Sequence, residues 1–111
     1  MIAYKLFRVR KDGTLGSLFI NRKARIPIGV CLHAKTYVTK GFKVRMGWHC
    51  TAKPVAPHLS MKGRRWYKVF INSYSEDQRP KRQGGLWYLA DYMEVLGPVW
   101  PSDNVNQSSQ K

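Results

Sequence analysis

Acidic side chains are nearly missing from the first two-thirds of this chain. Asp12 is the only acid in residues 1–75, a stretch with 16 Lys and Arg, and the others, Glu76, Asp77, Asp91, Glu94 and Asp103, come late. Over 111 residues, 20 Lys and Arg against 6 acids give a net charge of +14. This scarcity leaves little material for paired-carboxylate catalysis. Cysteine is scarce too, with Cys31 and Cys50 alone. There is no C-x-x-C and no H-x-x-x-H pair, so the usual zinc spacings are missing. No apolar run approaches the ~18–20 residues that a membrane helix needs. The opening MIAYKLFRVRK lacks an apolar h-region and a cleavage site, so no secretory signal is read. The expectation is a cytoplasmic protein of the host cell, with reduced thiols.

What is present points to a packed fold. The hydrophobic fraction is 43% and the aromatic fraction 13%, which argues against global disorder. The expected class is β-rich, mainly β or α+β, with five or six short, mostly antiparallel strands and at most one or two short helices. One globular domain is expected over residues 1–100, followed by a flexible polar tail over 101–111. IAYKLFRVR (2–10) reads as a strand and KDGT (11–14) as a hairpin turn, because glycine accepts positive φ. LGSLFIN (15–21) returns as its partner. Pro27 in RKARIPIG suggests an edge or loop. VCLHAKTYV (30–38) alternates as a third strand, and WHCT borders a short one. AKPVAPHLS (52–60) has room for a single helical turn. MKGRRWYKVFINSY (61–74) is the clearest strand, with Tyr67, Val69 and Ile71 on one face. SEDQRPKRQGG (75–85) reads as a polar loop. LWYLADYMEVLGPVW (86–100) mixes two periods and leans to strand.

Basic clusters carry the strongest functional signal. RVRK, NRKAR, KGFKVR, MKGRRWYK and RPKRQGG mostly adjoin an aromatic or a glycine. Lys and Arg supply phosphate contacts, and aromatic faces stack on unpaired bases. The candidate nucleic-acid contacts are Arg8, Arg10, Lys11, Arg22, Lys23, Arg25, Arg45, Arg64, Arg65, Trp66, Lys81 and Arg82. Arg64, Arg65, Lys81 and Arg82 are expected to meet on neighbouring parts of one sheet. The competing reading of Trp66, Tyr67 and Trp87 is that each is a core residue. A candidate pocket gathers Trp48, His49, Cys50 and His58 in GWHCTAKPVAPHL. Adjacent His49 and Cys50 on a strand point to opposite faces, so no metal and no cofactor is assigned.

The segments YKLFRVRKDGTLGSLFINRKARIP, KGFKVRMGWHCTAKPVAPHL and QRPKRQGGLWYLA resemble a group of small uncharacterised proteins of tailed phages and prophages. The resemblance covers about residues 2–96 and implies no activity of its own. A weaker likeness runs to the ADP-ribosyltransferase fold, which implies Arg8 on an early strand and His49 with Thr51 on a middle one. Its late glutamate has Leu86 in place, which argues against that activity. The expected function is non-enzymatic binding of nucleic acid, DNA or RNA, or of a host nucleoprotein complex, including as an inhibitor of a defence system. The alternatives are a small NAD-using or nucleotide-binding enzyme with a pocket at Gly47–Leu59, and a structural protein with protein partners only. Oligomeric state is not specified by these patterns.

Overall fold

Alternation explains the first strand. In β1 (Ile2–Val9) Ala3 and Phe7 are fully buried on one side, while Tyr4 and Leu6 face the other. The Asp12–Gly13 turn follows, with Gly13 at φ 86°. There the Gly13 N–H donates to Arg10 O and the Arg10 N–H to Thr14 O, both at 2.9 Å. The computed structural model describes residues 1–18, 25–34 and 47–99. Within them lie β2 (Leu15–Gly16), β3 (Cys31–His33), β4 (Trp48–Thr51), β5 (Arg64–Gln78) and β6 (Leu86–Pro98). All six strands belong to one sheet, and every strand pair is antiparallel. Arg22, Lys23, Arg45 and the 101–111 tail lie outside the described residues.

The pairings close on themselves. β1 runs beside β5 from Ile2↔Phe70 to Arg8↔Arg64, and β5 runs beside β6. β6 then pairs with β4 through Trp48↔Ala90 to Thr51↔Trp87, and β4 returns to β1 at Tyr4↔Thr51. A sheet that meets its own edge encloses a core filled by side chains. Phe7, Leu15, Val69, Ile71, Met93 and Val95 are among its largest fully buried residues, each contributing ~1.5–3 kcal/mol. The closure needs a corner, and it falls at Ser73, whose φ is 52°. Before it, Val69 and Ile71 of β5 and Met93 and Val95 of β6 point inward; beyond it, the inward residues of β6 are Ala90 and Tyr88. The register across the hairpin is unchanged through this point.

A second cluster sits on the outer side of the sheet. Leu6, Ala56, Trp66, Trp87 and Val99 are buried together, with Tyr4, Leu18 and Leu59 against them. The 52–63 segment supplies part of this cover. It forms no helix: its prolines leave a turn closed by the Leu59 N–H donating to Ala56 O at 2.9 Å.

Several boundaries differ from the sequence reading. Among the described residues the second strand holds Leu15–Gly16, and Ser17 and Leu18 leave the ladder; residues 19–21 of the expected strand lie outside the described set. The third is short, Cys31–His33, with residues 35–38 outside the described set. The expected 75–85 loop starts four residues too early and is otherwise present. Ser75–Gln78 continue β5 against Leu86–Leu89, and the connection is Arg79–Gly85 with a 3₁₀ turn at Lys81–Gln83. Those residues are polar because that end of β5 is exposed, not because it leaves the sheet. The 86–100 stretch is strand over Leu86–Pro98.

Candidate nucleic-acid interface

The end of the sheet where β1 finishes and β5 begins is basic. Register places Arg8 directly opposite Arg64 and Phe7 opposite Arg65, while Gly16 of β2 lies on the other side of Arg8. Arg10 and Lys11 continue β1 into the turn, and Lys62 precedes Arg64. The Val9 N–H donates to Gly63 O at 2.9 Å and pins the 60–63 turn to β1. Two guanidiniums are held by backbone: Arg10 Nη1 donates to Leu15 O at 2.7 Å and Arg64 Nη1 to Ser60 O at 3.0 Å. Gly16 leaves the space the Arg10 guanidinium occupies, since a Cβ there would lie 2.9 Å from its nitrogens.

The acid nearest in sequence is already engaged. Asp12 accepts from the Thr14 hydroxyl and N–H and from Arg25 Nη2 at 3.1 Å. The Thr14 hydrogen bonds, followed by the Arg25 charge, hold its carboxyl below the usual carboxylate range. Arg25 is thus placed beside Asp12 at the hairpin tip.

Lys81 and Arg82 do not join this group through the sheet. Arg64 and Arg65 open β5 and face β1, whereas Lys81 and Arg82 lie past the other end of the same strand. The expected juxtaposition across neighbouring strands is therefore incorrect: the hairpin brings Gln78 to Leu86, and leaves Arg64 at the far end. Trp66 is buried in the outer cluster, so it offers no open face to a base.

The candidate pocket residues also divide. Trp48 and Cys50 point into the core, where Trp48 Nε1 donates to Leu32 O at 3.1 Å. Burial pushes the Cys50 thiol up to about 11, against a smaller opposing effect of Lys5. It is a protonated, enclosed thiol, unsuited to nucleophilic catalysis. His49 faces the other side, and its Nδ1 lies 3.2 Å from Arg79 Nη2. Arginine can only donate, so Nδ1 is the acceptor in this contact. Arg79 Nε also donates to Asp77 Oδ2 at 2.9 Å, and the guanidinium stacks 4.4 Å from the Trp87 ring centre. His58 is exposed, edge-on to Trp87 at 6.1 Å. Thr51 is fully buried, its hydroxyl between the carbonyls of Tyr4 and Lys53. Arg8 stands four residues along β1 from the Tyr4–Thr51 crossing, about 13 Å at strand rise, so it is not part of the His49 group. Among the described residues no group of three or more His, Cys, Asp or Glu could hold a metal ion.

Lys62, Arg79 and Lys5 are not among the candidate contacts read from the sequence. Arg79 belongs to the RPKRQGG cluster, and the acid two residues before it, Asp77, is a usable signal for its ion pair. Lys5 lies on the inward side of β1, between Ala3 and Phe7, and its Nζ donates to His49 O at 2.8 Å. Burial lowers its pKa, partly countered by Cys50. No protein-family profile matches this chain, and neither does any curated protein or solved structure.

Proposed function

We propose that this chain is a non-enzymatic nucleic-acid-binding domain whose main contact surface is the basic end formed by Arg8, Arg10, Lys11, Lys62, Arg64 and Arg65. The observation that carries the reading is the β1–β5 register, which sets Arg8 opposite Arg64 and so gathers basic side chains at one end of the sheet, where concentrated positive charge attracts a polyanion. The net charge of +14 acts in the same direction, through release of counterions from a polyanion. The buried, protonated Cys50 and the consumed Thr51 hydroxyl weigh against the enzyme reading. The target is nucleic acid itself, free or within a host nucleoprotein complex. The test is a binding titration of Arg64→Ala/Arg65→Ala beside His49→Ala/His58→Ala. Loss confined to the arginine variant supports this surface. Loss confined to the histidine variant moves the function to the Gly47–Leu59 region.

A further inference from the structure

The outward face of β5 continues past the basic end. Arg64, Trp66, Lys68, Phe70 and Asn72 share that face, since each lies two residues from the next and the β1 register is unbroken from Arg8↔Arg64 to Ile2↔Phe70. Trp66 is covered, but Phe70 is 40% exposed. On β6, Glu94 lies opposite Phe70 and Tyr92 opposite Asn72, and Tyr92 is 39% exposed. Phe70 and Tyr92 are therefore diagonal neighbours, about 7 Å apart. That spacing lets two successive bases of an extended strand each cover one ring. Tyr92 is not loose: His33 of β3 packs edge-on against it, with ring centres 4.7 Å apart. Ile2 and Leu96, both exposed, lie at the margins of the pair.

We propose that Phe70 and Tyr92 form a base-stacking platform for single-stranded nucleic acid, with its backbone led from the basic end by Lys68. The inference rests on the nucleic-acid reading above and adds the strandedness of the target. Phe70 lies six positions along β5 from Arg64, about 20 Å at strand rise, so one strand of a few nucleotides reaches both. A second copy of the chain is a poorer occupant, because two surfaces of a +14 protein repel. An anionic chain carrying π faces answers both the charge and the rings. Glu94, half-buried beside Phe70, repels a phosphate and accepts from a base amino group. It therefore turns bases toward the rings and the backbone toward Lys68. A duplex keeps its bases stacked on one another and cannot use the platform.

The experiment compares a labelled single-stranded oligonucleotide with the duplex of the same sequence by fluorescence anisotropy. The proteins are the wild type, Phe70→Leu/Tyr92→Leu, Tyr92→Phe and Arg64→Ala/Arg65→Ala. A 2-aminopurine base in the single strand reports stacking by quenching. Expected are a preference for the single strand and a loss of about tenfold per ring for the leucine variant on that strand alone. Quenching should vanish with it, while Tyr92→Phe retains both and the arginine variant weakens single strand and duplex alike. If the leucine variant binds single strand as wild type does while the arginine variant is weakened, the platform is wrong and the basic-end reading survives. If the leucine changes alter sedimentation and leave binding untouched, the face is a protein interface and the proposal falls. If wild type binds neither oligonucleotide, both readings fall.

Discussion

Thiol labelling separates the two cysteines and tests the closed core at its least accessible nucleophile. Cys31 is exposed on the edge strand β3, and Cys50 is fully buried on β4. The Cys50 Sγ–H donates to Trp48 O at 3.6 Å, and burial pushes the thiol from 9.0 to about 11. Only the thiolate reacts, so a rise of about two units lowers the reactive fraction about 100-fold at any pH well below 9. The reagent must also enter the core, which multiplies that factor by the rarity of opening. Alkylation with iodoacetamide near pH 8, followed by mass spectrometry of peptides, gives each rate separately. Cys31 should be modified first and Cys50 at least ~100-fold more slowly, with the difference erased in denaturant. A native Cys50 rate within a few-fold of Cys31, in protein shown to be folded, would refute the burial of β4 against β1 and β6. It would also reopen a catalytic role for Cys50.

Replacing Arg64 and Arg65 by Ala should leave the melting temperature nearly unchanged, weaken nucleic-acid binding by about 1 kcal/mol or more, and reduce the log–log salt slope by about one to two units. The Lys5 pKa is lowered by burial in the fold, so the native state releases this proton before the unfolded chain does. Stability from Lys5 should therefore rise with pH between the lowered native value and 10.5. In a Cys50→Ala background, denaturant melts should show the margin of Lys5 over Lys5→Met growing from neutral pH toward pH 10; a shrinking margin contradicts the inward placement of Lys5. Gly84 has φ 98° and a Cβ there would lie 2.7 Å from Val55 O, whereas Gly85 has φ 78° and open space. Gly84→Ala should cost ~2–3 kcal/mol and Gly85→Ala about 1 kcal/mol, read by thermal melts; equal losses would place the 52–63 segment elsewhere. Elemental analysis of purified protein should find no stoichiometric zinc, and about one zinc per chain would reverse that expectation.

Strand existence was legible where alternation is strong. Tyr67, Val69 and Ile71 mark the inward face of β5, and the Asp12–Gly13 pair marks the first turn. Closure was not legible, because it depends on the single Tyr4↔Thr51 crossing and on a corner at Ser73. Neither has a sequence signature: a serine at positive φ is held there by the surrounding sheet. Polarity misled at Ser75–Gln78, where an exposed strand end has the composition of a loop. It misled again at Lys5, whose charge hides an inward position that the period of two assigns it. The basic end was legible as charge, but its geometry came from register, which sets Arg8 against Arg64 and separates both from Lys81 and Arg82. The Phe70–Tyr92 pair was out of reach, since it joins residues on two strands through a diagonal.

The most direct measurement is the affinity of the wild-type protein for single- and double-stranded oligonucleotides as a function of salt. Binding through the basic end predicts a linear fall of log K with log salt, with a slope of about −0.7 to −0.9 for each phosphate neutralised, and therefore a total slope of several units. A flat salt dependence, or no binding to either oligonucleotide at low salt, would contradict the account.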